Sequence, residues 1–184
     1  ESSRDGIQIF DTRHGALEWM ENRILESAGW DAQEEEQPLA LREIEVFSEF
    51  DAATINELAG AVREFSIPVG GRVCSRGDAG DEIFFVRRGR LEALLPLESG
   101  KRHHLATFCQ GDFFGEMAFL DRELRSADVE ASMPTDLYAL SRDRFDALVK
   151  ADPALGGRVF EQLAYAVSKR LRVADTELRL LEER

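Results

Sequence analysis

The sequence predicts a mainly β fold flanked by helices, and three observations carry that prediction. From Arg63 to Ser141, short runs of β-type residues alternate with turns at Gly70-Gly71, Gly77, Gly80, Gly89, Gly100 and Gly111. Short strands at even spacing between turn signals are the pattern of a sandwich, barrel or jelly roll. On either side of this region the apolar residues recur every three or four positions, which is helical spacing. No apolar run approaches the roughly 18–20 residues that a membrane helix needs.

The elements follow in order. Ile7-Gln8-Ile9-Phe10 reads as a short strand. Asp11 or Thr12 can cap a helix whose apolar face is Leu17, Met20, Ile24 and Ala28, with Gly29 ending it. One strand and one helix cannot form a core. Residues 1–30 are therefore read as the last βα unit of a domain whose body lies elsewhere, with an appendage on the main domain as the alternative. Residues 31–38 are polar, with Glu34-Glu35-Glu36 in a row, and read as an acidic linker. The main domain is expected over 39–184. Leu41, Ile44 and Phe47 recur every three residues, and Ile55, Leu58, Ala59 and Val62 mark a helix after Asp51. Asp81–Arg88 and Arg90–Leu95 flank Gly89 as a hairpin, and Leu105–Phe108 and Asp136–Leu140 supply further strands. Phe84, Phe85, Phe108, Phe113 and Phe114 are core filling. Ser141 caps a short helix through Phe145 and Leu148. Asp152-Pro153 then opens a long helix with the stripe Phe160, Leu163, Val167 and Leu171. A long helix after a β-roll either covers the mouth of the roll or pairs with a partner helix.

Composition narrows the function. The 184 residues suffice for one good domain and an appendage. The net charge of −13 argues against nucleic acid, which rewards a basic face. More than half of that excess lies in residues 1–37, so an anionic ligand needs a locally positive pocket. Cys74 and Cys109 make neither a disulfide framework nor zinc-type spacing, and are expected as buried thiols in a reducing compartment. The chain begins at Glu1 rather than a methionine, so a piece of a longer protein is expected, and the absence of a signal peptide speaks only for this piece; the free thiols carry the expectation of a cytoplasmic location. Adjacent His103 and His104 point to opposite faces of a strand, and His14 lies in another segment, so no metal site is expected. No Ser-His-Asp set or paired-carboxylate site is present, and no catalysis or cofactor is expected.

The window that carries chemistry runs Phe113-Phe114-Gly115-Glu116-Met117-Ala118-Phe119-Leu120, with Arg125-Ser126-Ala127 after a short loop. It suits a small molecule with a hydroxyl at one end and a phosphate at the other. Gly115 lets the backbone approach a sugar closely. The Glu116 carboxylate can accept a hydroxyl proton in a charge-assisted bond. Met117–Leu120 would form a helical turn whose free amides face an anion. Arg125 supplies a fork-shaped cation for two phosphate oxygens, and Ser126 an amide and a hydroxyl. The alternative is a structural ion pair between Glu116 and Arg125 in a ligand-free roll.

The order of helix, β-roll with such a window inside, short helix and long helix resembles the cyclic nucleotide-binding domain, of the catabolite-activator and protein-kinase-A regulatory type. Ile44–Phe47 and Phe50 look like its lead helix. Arg76-Gly77-Asp78 through Glu82–Val86, with Gly89-Arg90, looks like its glycine-aspartate motif, and Gly111–Ala118 with Arg125-Ser126-Ala127 like its phosphate-binding cassette. The resemblance implies an antiparallel β-roll, or jelly roll, with N-terminal helices and a long C-terminal helix. It implies a regulatory domain whose ligand is cyclic AMP or cyclic GMP, held by Phe114, Gly115, Glu116, Met117, Ala118, Arg125, Ser126 and Ala127. Gly115 and Glu116 would take the ribose, and the Ala118 amide, Arg125 and Ser126 the phosphate. Leu124 stands where proline is frequent, and the Ser126 hydroxyl leaves the base preference open between adenine and guanine. Ala154–Arg172 would fold over the base, with Tyr165 or Arg170 placed for that contact. A homodimer through the C-terminal helix is a further expectation.

Ile7-Gln8-Ile9-Phe10-Asp11 followed by Ala16-Leu17-Glu18-Trp19 is similar to the end of a STAS domain. That ending precedes a cyclic nucleotide-binding domain in some SulP-type anion transporters and in some glutaminases. The resemblance implies a host domain upstream in the same chain. A SulP-type sulfate or bicarbonate transporter is the first expectation, which would put the module at the cytosolic face of the inner membrane; a STAS-containing glutaminase is the second. A transcription factor of the catabolite-activator type would need a helix-turn-helix after the long helix, which an acidic chain without one does not suit.

Overall fold

The computed structural model describes residues 2–4, 7–9, 20, 23, 37–97 and 100–182. The chain divides into two compact units, residues 1–36 and 37–184. In the first, β1 (Ser2–Arg4) and β2 (Ile7–Ile9) pair antiparallel, with Ser2 opposite Ile9 and Arg4 opposite Ile7. Met20 and Arg23 are helical. Leu17, Ile24, Ala28 and the linker residues 31–36 lie outside the described residues, as do Asp11 and Thr12.

The second unit opens with two 3₁₀ turns, Leu41–Glu43 and Glu45–Phe47. The spacing of three in Leu41, Ile44 and Phe47 is the period of that helix type, and it puts all three side chains inside. Helix α1 (Ala52–Ala61) follows, capped by Asp51, whose Oδ1 accepts from the Thr54 amide at 2.8 Å.

Eight strands form two four-stranded antiparallel sheets. One has the order β3 (Arg63–Ile67), β10 (Thr135–Ser141), β5 (Glu82–Arg88), β8 (Phe113–Phe114). The other has the order β4 (Arg72–Cys74), β9 (Asp128–Ala131), β6 (Leu91–Pro96), β7 (Arg102–Phe108). The hairpin expected about Gly89 is not formed, because β5 and β6 belong to different sheets. Gly89 instead turns the chain from one sheet to the other at φ +94, where a Cβ would lie 2.6 Å from Thr135 Oγ1. That hydroxyl accepts from the Arg90 amide at 3.2 Å and pins the corner. The hairpin is β6–β7, with Leu91 opposite Phe108.

The interior between the sheets holds Phe84, Val86, Leu91, Ala93, Phe114, Val129, Leu137 and Ala139. The outer face of the first sheet offers Ile83, Phe85, Phe113, Tyr138 and Leu140 to the helices. β5 and β10 are therefore covered on both faces and read as continuous apolar runs, Ile83–Val86 and Leu137–Leu140. Over the outer face lie α2 (Glu116–Asp121), α3 (Arg142–Ala151) and α4 (Pro153–Glu182). Ser141 caps α3 and Asp152 Oδ1 accepts from the Ala154 amide at the start of α4.

The buried face of α4 is Leu155, Val159 and Leu163, with Phe160 and Ala166 packed beside them. The expected stripe is thus displaced toward the helix start, and Leu171 is 68% exposed. Gly156 permits the α3–α4 contact, since a Cβ there would stand 2.7 Å from Val149 Cγ2. Cys74 is half-buried, and burial pushes its thiol up from the usual value. Cys109 is exposed, against expectation, because it sits in the turn after β7 and not in the strand. Among the described residues no histidine, cysteine and carboxylate cluster could hold a metal, and no helix is long and apolar enough to cross a membrane.

Candidate ligand-binding cassette

The cassette is built where β8 ends and α2 begins. Phe114 anchors it, buried in the roll and stacked between Phe84 and Phe108, with ring centroids 5.0 and 5.1 Å away. Gly115 then caps α2 at φ +80, a left-handed conformation that strains any L side chain. Space is short as well: a Cβ on Gly115 would sit 2.6 Å from Arg125 Nη1 and 2.9 Å from Glu82 O. The first bond within α2 runs from the Phe119 amide to Gly115 O at 3.2 Å. The amides of Glu116, Met117 and Ala118 precede it and have no partner inside the helix.

Arg125 arrives from the other end of the cassette loop. Its amide donates to Asp78 O at 2.9 Å, and its carbonyl accepts from the Gly77 amide at 2.8 Å. These two bonds tie Arg125 to the Gly77-Asp78 turn. The residue is only 6% exposed. The guanidinium lies between Gly80 and Gly115, where Cβ atoms would come within 2.6 Å of Nε and of Nη1 respectively. Its carbon stands 5.3 Å from the Phe84 ring centroid. The hydrogen bond it donates, from Nη1 to Gly115 O, is 3.3 Å long. Among the described residues no carboxylate stands within ion-pair distance of it. A buried cation without a counter-charge is costly, and the site is therefore set up to favour an anion.

Glu116 does not pair with Arg125. Its carboxylate, mostly shielded, faces Arg170 of α4, with Oε1 3.7 Å from Nη1. Arg170 also donates to Phe113 O at 2.5 Å and lies over the Phe113 ring at 4.3 Å. Of the two residues expected over the base, Arg170 packs on the roll at Phe113 and Tyr165 is 67% exposed.

The remaining expected residues are spread around this centre. Ala118 and Ala127 are buried, while Ser126 and Met117 are exposed, with Ser126 Oγ 3.7 Å from Met117 Sδ. The structure thus gathers Gly115 and Arg125 tightly and places Glu116 beside them on α2. Gly80 and Arg170 complete the surroundings. The signal for Gly80 in the sequence was only a turn glycine. Arg170 had none beyond its place on the long helix.

Residues 64–152 match the family model of the cyclic nucleotide-binding domain. The chain is 36% identical over 114 residues to the cyclic AMP receptor protein of Thermus thermophilus, covering 62% of this chain and 51% of that protein. It is 31% identical over 166 residues to glutaminase 1 of Bradyrhizobium diazoefficiens, covering 90% of this chain and 26% of the enzyme. The chain spans between about a quarter and a half of the length of the curated relatives it matches. Among solved structures, a cyclic nucleotide-binding domain from Methylobacillus flagellatus superposes with a TM-score of 0.68 at 26% identity, covering 81% of this chain and 83% of that one. The antiparallel roll and its helical flanks agree with these likenesses: over residues 64–152 the chain matches the cyclic nucleotide-binding domain of the catabolite-activator and protein-kinase-A regulatory type.

Proposed function

We propose that the cassette binds a cyclic purine nucleotide and that the domain regulates a host joined to it. The observation that carries this is the Arg125 guanidinium: buried, held between two glycines, without a carboxylate partner among the described residues, and next to a shielded Glu116. A cyclic phosphate would supply the counter-charge that Arg125 lacks. Gly115 and Glu116 would take the ribose 2′-hydroxyl, and the Ala118 amide and Ser126 would add to the phosphate contacts. Phe114 and Ala127 line the roll behind them, and Met117 stands exposed at the rim. Cyclic AMP and cyclic GMP both satisfy this chemistry.

The relatives bear on the host. Two glutaminases of Bradyrhizobium diazoefficiens align over 90% and 95% of this chain, so their likeness extends into the N-terminal unit. This moves the preferred host from a SulP-type transporter to a glutaminase-like enzyme, both compatible with a STAS-like ending over residues 1–30. Tyr165 and Leu171, exposed on α4, support pairing with the same helix of a second copy.

The test is a double cycle between Glu116→Gln and the 2′-deoxy form of the nucleotide. Each change alone costs ~1–3 kcal/mol of binding, as for a hydrogen bond to a charged group. Together they cost less than the sum, because both remove one interaction. Strictly additive losses would show that Glu116 does not touch the ribose.

A further inference from the structure

We infer that Arg142 is the positioning residue through which the cassette helix and the two C-terminal helices change together. The inference deepens the nucleotide reading and rests on it for one of its two tests.

Arg142 is the first residue of α3, and its amide donates to Asp81 O at 3.0 Å, which fixes that helix start on the roll. Its Nη1 donates to Phe119 O at 2.8 Å and reaches Leu120 O at 3.5 Å. Those are carbonyls of the last turn of α2, where a cation is favoured by the helix dipole. Its Nε pairs with Asp146 Oδ1 at 2.8 Å, one turn along α3. Its guanidinium carbon lies 5.5 Å from the Phe119 ring and 5.7 Å from the ring of Phe160 on α4. One side chain therefore touches α2, α3 and α4.

Asp146 holds a second cation on the same junction. Arg122 ends α2 at φ +62, and among the described residues it is the non-glycine residue with positive φ. Its Nη2 donates to Asp146 Oδ2 at 3.0 Å. Asp146 thus grips the end of α2 through Arg122 and through Arg142 at once.

This junction differs in kind from the apolar contacts beside it. Phe119, Phe145 and Phe160 form a chain with centroids 5.4 and 5.1 Å apart. Apolar contacts are non-directional and tolerate sliding, whereas bonds to Phe119 O and Asp146 weaken steeply with misalignment. A shift of α2 driven at Ala118 moves Phe119 O. Arg142 then follows, with Asp146 and the face of Phe160, or loses its bonds.

Two measurements on the 184-residue chain test this. The first needs no ligand. Amide exchange in α2 is compared for wild type, Phe160→Leu, Arg142→Met and the double variant. Phe160→Leu should speed α2 exchange by about fivefold or more with Arg142 in place and have little further effect with Arg142→Met, the non-additivity expected of a shared network. The second adds saturating cyclic AMP. In wild type it should slow amide exchange in α4, the helix expected to fold over the base; Arg142→Met should bind within about threefold of wild type, since it does not line the cassette, yet lose that slowing. A Phe160→Leu effect that is equal in both backgrounds overturns the inference, as does an undiminished α4 response in Arg142→Met. Where Arg142→Met does not fold, Asp146→Asn replaces it, with the same two outcomes. Failure of cyclic AMP to bind wild type refutes the nucleotide reading and leaves the ligand-free cycle to decide the role of Arg142.

Discussion

Arg125→Ala separates binding from folding, because the structure gives its two effects very different sizes. The guanidinium is 6% exposed, has no carboxylate partner among the described residues and donates a long bond, 3.3 Å, to Gly115 O. Its backbone bonds to Asp78 and Gly77 survive the substitution. Truncating one partner of a buried, hydrogen-bonded charge pair costs ~2–5 kcal/mol. At ~1.4 kcal/mol per factor of ten, cyclic AMP should bind roughly 30- to several-thousand-fold more weakly. The ligand-free domain loses only that bond and the contact with Phe84, and it is relieved of a buried, unpaired charge. Its midpoint should therefore move by no more than ~2–4 °C, the shift that about 1 kcal/mol gives in a domain of this size. Titration calorimetry and thermal unfolding of the same samples read both quantities. Binding at wild-type strength would refute the role of Arg125, and a collapse of the ligand-free midpoint would show that the cation is structural.

Three further outcomes follow from the geometry. Gly80→Ala places a Cβ 2.6 Å from Arg125 Nε, and its three nearest atoms all belong to that guanidinium. It should weaken nucleotide binding by about tenfold or more while leaving the ligand-free midpoint near wild type, because a flexible side-chain end can move away. Arg170→Met removes the contacts that α4 makes with Glu116 and Phe113 beyond Leu163, and exchange of the amides around 165–172 should rise several-fold. Glu130 is held below the usual carboxylate range, first by its hydrogen bond from Arg102 and then by that from Arg72. Its folded value is lowered, so its contribution is present above the unfolded value of about 4.5 and is lost as pH falls through the folded one. Glu130→Gln should accordingly flatten the acid limb of the stability profile below about pH 4.5, read by denaturant unfolding across pH.

Much of the cassette was legible because its chemistry is local. Gly115, Glu116 and Arg125 fall within eleven residues, and their types state what they can bind. The 3₁₀ turns were legible too, through a spacing of three. The pairing of β5 was not, since a strand covered on both faces loses the alternation that would say which partner it takes, and a glycine turn serves a hairpin and a sheet-to-sheet corner equally well. The stripe of α4 was placed too far along the helix: Phe160 and Leu163 pack as expected, but Leu155 and Val159 look no different in sequence from Val167 and Leu171, and only the position of Val149 and Phe145 selects among them. Gly80, Arg142 and Arg170 act across 45, 23 and 54 residues of sequence respectively, on Arg125, Phe119 and Glu116. No window pattern records contacts of that kind.

The central claim is that this cassette holds a cyclic nucleotide by its phosphate and ribose, and calorimetric titration of the chain tests it most directly. Cyclic AMP or cyclic GMP should give a saturable heat at one molecule per chain, with the linear 5′-monophosphate much weaker. The absence of both heat and a thermal shift with either cyclic nucleotide at millimolar concentration would contradict it.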